Sequence, residues 1–177
     1  MTTRTIILTG ERGVGKSTVC RETIALAQAK RYSCGGILTL RRSDDILDVL
    51  DVHSGNVHRL TLEPGGKQAV VQGRFRFDPK ILAWGNDALM HATPCHLLVV
   101  DELGPLEIEQ EQGWQQAFEV LHEAKFDMAL VVVRPELVTR VQLKLPASAT
   151  LVLSVTLDNR DGLPATLMEM LEREAKA

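Results

Sequence analysis

No apolar run in this 177-residue chain approaches the roughly twenty residues that a membrane-spanning helix requires. The first residues hold no apolar signal region and lead directly into Thr5-Ile6-Ile7-Leu8-Thr9. Positive charge is not in excess. The net charge is −3, so no basic field points to a nucleic-acid partner. Cysteine is sparse and odd in number. Cys20, Cys34 and Cys95 show no C-x-x-C spacing, which argues against a disulfide framework and against a cysteine zinc site. His53, His58, His91, His96 and His122 show no metal-ligand spacing either. Low-complexity stretches, internal repeats and linkers are lacking. These absences leave one domain over residues 1–177, long enough to bury a sizeable core, in a reducing cytoplasmic setting with no membrane partner.

What is present is concentrated first at Gly10-Glu11-Arg12-Gly13-Val14-Gly15-Lys16-Ser17-Thr18, which fits G-x-x-x-x-G-K-[ST]. The preceding run, Thr5 to Thr9, is β-branched and apolar and reads as a buried strand. Val19 to Lys30 reads as a helix. Strand, glycine loop and helix N-terminus together make an anion site, with inward amides and a favourable helix dipole. Gly10, Gly13 and Gly15 let the backbone wrap closely around phosphates. Gly13, Val14, Gly15, Lys16, Ser17 and Thr18 are the expected phosphate cradle of a nucleoside triphosphate. Lys16 would reach the β- and γ-phosphates, and the Ser17 hydroxyl would sit on Mg²⁺.

Further along, Ile37 to Leu40, Ile46 to His53 and Val57 to Leu62 are short apolar runs separated by Ser43-Asp44-Asp45 and Ser54-Gly55-Asn56, both turn-forming. They predict an antiparallel meander. A strand over Arg74 to Phe77 follows the glycine-containing segment from Pro64 to Gly73, and Asp78-Pro79 opens a helix. Strands at Leu97 to Val100, Met128 to Val133 and Leu151 to Thr156 then alternate with helices at Trp114 to Lys125 and Leu163 to Ala175. Continuous apolar strands alternating with helices predict an α/β fold, a mainly parallel sheet covered on both faces, with the meander at one edge. Trp84 and Trp114 are expected in the core.

The second motif is Leu97-Leu98-Val99-Val100-Asp101-Glu102, an apolar strand ending in two acids. Parallel strands deliver their C-terminal ends to the ligand crevice. Asp101 is therefore the expected metal residue beside Ser17, and Glu102 the residue that orients or deprotonates water. Asp101-Glu102-Leu103-Gly104 also fits D-x-x-G, yet no N-K-x-D guanine-reading motif lies downstream, which argues against a dedicated GTPase.

The chain resembles the small P-loop nucleoside-triphosphatases of the thermophile and cancer-related type. The resemblance rests on GERGVGKST, on CGGILTL followed by a hairpin, on LLVVDELGPLEI and on LDNRDGL, in that order over nearly the whole chain. It implies a RecA-like sheet in which the strand after the acidic one lies between it and the phosphate-loop strand. It also implies slow, Mg²⁺-dependent hydrolysis of the γ-phosphate with broad nucleotide tolerance. By position it carries over Lys16, Ser17, Asp101, Glu102 and also Glu107, Asn159 and Arg160. The chain departs from the pattern at Glu11-Arg12, where many relatives carry proline before the second glycine. Glu11 is expected to point outward and to pair with Arg12.

Arg134 ends the Met128 to Val133 strand. Beside the phosphate loop it would stabilise charge developing on the γ-phosphate, and Arg140 is a second candidate. Asn159 and Arg160 follow the Leu151 to Thr156 strand, where loops often meet the base. Arg160 could stack on it through its planar guanidinium, with Asp161 capping the last helix. Glu107 either anchors the loop bearing Glu102 or positions water. The reading is a nucleoside-triphosphatase with ATP or another NTP as substrate. A small-molecule kinase would use the same loop. A nucleotide-gated binding module would use the Ile37 to Leu62 hairpin as a docking edge for a protein partner of unknown identity.

Overall fold

The computed structural model describes residues 4–65, 68–146 and 150–176. In chain order its elements are β1 (Arg4–Thr9), α1 (Lys16–Ala29), β2 (Cys34–Arg41), β3 (Leu47–Asp51), β4 (Val57–Arg59), β5 (Val70–Gln72), β6 (Phe75–Phe77), α2 (Pro79–Met90), β7 (Cys95–Leu103), α3 (Pro105–Ile108), α4 (Gln116–Glu123), β8 (Phe126–Val133), α5 (Val138–Gln142), β9 (Thr150–Ser154) and α6 (Leu163–Glu174). A 3-10 turn at Pro135–Leu137 leads into α5.

Seven strands form one sheet in the order β4-β3-β2-β7-β8-β1-β9. The pairs β2–β7, β7–β8, β8–β1 and β1–β9 are parallel, whereas β2–β3 and β3–β4 are antiparallel. The meander thus occupies one edge, and β8 separates the acidic strand from the phosphate-loop strand, as expected. Side chains alternate between faces with the two-residue period of a strand. Ile6, Leu8, Val99 and Leu130 pack with Val19, Ile24, Leu167 and Leu171 from α1 and α6. Ile7, Leu98, Val100 and Val131 pack with Leu82, Leu89, Ala117 and Leu121 from α2 and α4. Burial on both faces is why these strands are continuously apolar.

Several boundaries differ from the sequence expectation. The first helix starts at Lys16, because the phosphate loop itself winds into its first turn. The acidic strand runs on to Leu103: Asp101 is buried although its side chain is ionisable, so hydropathy alone ends the strand too early. β5 and α3 are additional, three and four residues long, and both sit between glycine or proline signals that read as turn. The Trp114 to Lys125 helix shortens to Gln116–Glu123. Trp114 precedes it and is buried, whereas Trp84 is half-buried with its ring edge-on to His58. Asp161 is not the cap of α6. That position is Gly162, and Asp161 is exposed beside Arg160.

Candidate active site

The phosphate loop leaves β1 at Gly10 and enters α1 at Lys16. Gly10 has φ 146°, and a Cβ there would lie 2.4 Å from the Val155 carbonyl oxygen, so only glycine fits. Val14 is buried and anchors the loop in the core below it, while Glu11, Arg12 and Gly13 are exposed. Glu11 points outward as expected, but no ion pair joins it to Arg12 among the described residues. Helix α1 begins with no side-chain cap and no acid in its first turn. Its first amides are left for a ligand, and the dipole favours an anion. Lys16 Nζ donates to the Gly10 carbonyl at 2.6 Å and to the Glu11 carbonyl at 2.9 Å, curling over the loop. Burial pulls its ammonium below the ordinary value, and the charges of Glu102 and Asp101 oppose that shift.

Parallel pairing of β1, β8 and β7 brings three functional ends to the same edge. Leu8 pairs with Val132 and Asp101 with Val132, so the phosphate loop, Arg134 and the acidic pair emerge side by side. Asp101 is buried and its carboxyl is pushed up to about 7. Burial is the main cause, hydrogen bonding from the Ser17 side chain acts the other way, and the Glu102 charge adds to the rise. Its Oδ2 atom is buried and has no hydrogen-bond partner. Beyond it the β7–β8 register shifts between Asp101 and Leu103, and the Asp101–Glu102 peptide is cis. The Glu102 carboxylate meets Arg134: Nε and Nη2 of the guanidinium donate to Oε1 at 3.2 and 3.1 Å. Both side chains are about one-third exposed, at 33% for Glu102 and 38% for Arg134.

The loop after Glu102 is built around Glu107. Its Oε2 accepts from the Gly104 amide and its Oε1 from the Trp114 amide, each at 2.9 Å. Burial raises this carboxyl to about 7 against the pull of those amides. Of its two sequence readings, the geometry matches the loop anchor. Arg140 lies away from the Glu102 end of this loop. It donates to the Ile108 carbonyl at 3.1 Å and to Glu109 at 3.3 Å. On the far side of the phosphate loop, Asn159 closes a tight turn: Oδ1 accepts from the Thr156 amide at 2.8 Å and Nδ2 donates to the Ser154 carbonyl at 2.9 Å. Arg160 reaches back to the Val14 carbonyl at 3.3 Å, with its stem against Gly15.

This geometry is accompanied by clear likenesses in sequence and fold. A family model described as NTPase matches residues 5–168. The chain belongs to the NTPase family. It is similar to the nucleoside-triphosphatase THEP1 of Methanosarcina barkeri, at 30% identity over 92% of this chain and 94% of the relative. It is also similar to the protein of that name from Methanosarcina acetivorans, at 29% identity over 96% and 97%. Among solved structures, THEP1 from the hyperthermophile Aquifex aeolicus shares the fold, with a TM-score of 0.73 over 95% of this chain and 99% of that one, at 18% identity.

In this NTPase-family chain, Lys16, Ser17, Asp101, Glu102 and Arg134 converge at one sheet end, and Arg160 braces the loop from outside. Among the described residues, no group of three or more His, Cys, Asp or Glu is close enough to hold a metal ion by itself. The donor set that remains, the Ser17 hydroxyl and the unpartnered Asp101 Oδ2, suits a hard cation that keeps waters and takes its other ligands from phosphates. One neighbour was missed in the sequence. Thr39 Oγ1 donates to the Asp101 carbonyl at 2.6 Å. It stands in a short, mostly apolar run, Ile37-Leu38-Thr39-Leu40, with nothing to distinguish it.

Proposed function

We propose that the chain hydrolyses nucleoside 5′-triphosphates (ATP, GTP and others) to diphosphate and phosphate, with Mg²⁺ as cofactor. The observation that carries this reading is the meeting of Arg134 with Glu102 at 3.1 Å at the strand ends beside the phosphate loop. On this reading the pair is an acid for water beside a cation for phosphate. Membership of the NTPase family and relatives named nucleoside-triphosphatase support the same chemistry.

The triphosphate lies along Gly13 to Thr18, held by loop amides and the open N-terminus of α1. Lys16 exchanges its carbonyl partners for the β- and γ-phosphate oxygens. Ser17 and Asp101 would hold Mg²⁺, which would neutralise phosphate charge. Glu102 orients a water in line with the γ-phosphate and takes its proton, while Arg134 turns to the oxygens that gain charge. On the base side, Asn159 spends both ends of its amide on its own turn. The face of Arg160 and the exposed Leu157 are left for the base. Contacts of that kind favour a ring without reading its edge, in keeping with broad base tolerance. Three unpaired thiols accord with a reducing, cytoplasmic setting.

The direct test is phosphate release from ATP and GTP by the purified chain with no acceptor alcohol or nucleotide present. Release that needs Mg²⁺ and stops with a chelator is expected. NTP binding without release, with phosphoryl transfer appearing only when an acceptor is added, would replace hydrolysis by kinase chemistry.

A further inference from the structure

We propose that Thr39 is a positioning residue for hydrolysis: it fixes the peptide that links the metal-side acid Asp101 to the water-side acid Glu102. This inference rests on the roles of those two acids given above and adds the residue that sets their relative placement.

The β2–β7 ladder runs from the pair Cys34 and Leu97 to the pair Ile37 and Val100, and ends there. The next carbonyl on β7 that faces β2 would otherwise emerge without a ladder partner, in a strand whose register against β8 is shifting. Thr39 stands two residues beyond the last ladder pair, half-buried, and is itself held by pairing with Val49 on β3. Its Oγ1 donates to the Asp101 carbonyl at 2.6 Å. The Thr39 backbone is also among the influences that hold the Asp101 carboxyl down against the rise caused by burial. Thr39 therefore holds Asp101 by its main-chain carbonyl, and Oδ2 of the same residue stays without a partner.

The carbonyl that Thr39 holds belongs to the Asp101–Glu102 peptide. Rotation of that peptide would swing the direction in which Glu102 leaves the strand. Nothing in the phosphate loop takes part in this contact, so Thr39 governs the placement of Glu102 and not the capture of nucleotide. Near-attack geometry is sensitive to displacements of about 1 Å, which cost on the order of 10²-fold in rate.

The test compares Thr39→Val, which keeps the shape and removes the donor, with Thr39→Ser, which keeps the donor, and with Glu102→Gln. For each, kcat, KM and the affinity for a non-hydrolysable NTP are measured on the same samples, together with the melting temperature. Expected for Thr39→Val is a fall in kcat of about 10-fold to 10²-fold, with KM and affinity within about twofold, a change smaller than roughly 0.4 kcal/mol in binding. Thr39→Ser should restore most of kcat. A role in folding alone would move the melting temperature and leave kcat per folded molecule unchanged. If Thr39→Val does not fold, Thr39→Ala enters the same comparison. Wild-type kcat in the hydroxyl-less variant beside a crippled Glu102→Gln overturns the inference. Wild-type hydrolysis by Glu102→Gln overturns the role of Glu102 itself, and the positioning role falls with it.

Discussion

Glu107 places a carboxylate almost wholly out of water, with backbone amides at 2.9 Å from each of its oxygens. Its carboxyl is raised from 4.5 to about 7 in the folded chain, with burial as the leading cause. A carboxyl with a raised folded value binds its proton more tightly in the native state. The stability it contributes is therefore complete below pH 4.5 and is lost as pH rises through about 7. Glu107→Gln removes this titration and also turns an amide N–H toward a backbone N–H. A loss of about 1–3 kcal/mol is expected, larger at pH 5 than at pH 8, read from urea midpoints at the two pH values. A difference that is the same at both would mean that Glu107 titrates as an ordinary exposed acid.

At this scale the sequence reveals residues whose chemistry comes with a fixed spacing. Lys16 and Ser17 follow from the glycine pattern, and Asp101 and Glu102 from acids ending an apolar run. Thr39 does not, since its partner lies 62 residues away and the contact leaves no local pattern. Asn159 is legible as a loop residue, but the hydrogen bonds that commit its amide to the turn emerge only in three dimensions.

Among the elements, the loop between β7 and α4 depends on α2 as much as on Glu107. Asn86 of α2 donates to the Gly113 carbonyl at 2.7 Å and accepts from the Gln116 amide at 3.0 Å, so it caps the entry to α4. One residue earlier, Gly85 lies against the Trp114 ring, and a Cβ there would fall 2.3 Å from it. Gly85→Ala should therefore push the indole out and cost about 1–3 kcal/mol by overpacking. Equilibrium unfolding with a shift in tryptophan emission would register both effects. An unchanged midpoint and spectrum would mean that Trp114 is not packed on α2. Periodicity places the long helices and the buried strands, because each has enough residues to express its period. It fails for β5 and α3, which are too short to do so and lie among glycine and proline. It ends β7 too soon because a buried, polar Asp101 breaks the apolar run.

For the whole molecule, the alternation of strand and helix points to a parallel sheet, and the turn-rich stretch after Gly35-Gly36 points to the antiparallel edge. In the strand order β4-β3-β2-β7-β8-β1-β9, the placement of β8 between β7 and β1 is what the family resemblance implies. Composition alone could not supply it, since crossover order is set by long-range pairing. That order puts β8 between the phosphate-loop strand and the acidic strand, and so lets Arg134 reach Glu102. On the proposed function, binding and chemistry belong to different strands and are separable: nucleotide would be held by the loop after β1 and by α1, and water would be activated from the end of β7.

Single-turnover hydrolysis by Glu102→Gln, with NTP affinity measured on the same samples, tests that separation most directly. The substitution keeps the shape and removes the charge and the basicity. Affinity should stay near that of the wild type while the rate falls by roughly 10²-fold or more, the scale of losing a positioned acid–base group. Wild-type turnover with intact binding would contradict the assignment of Glu102 as the residue that activates water.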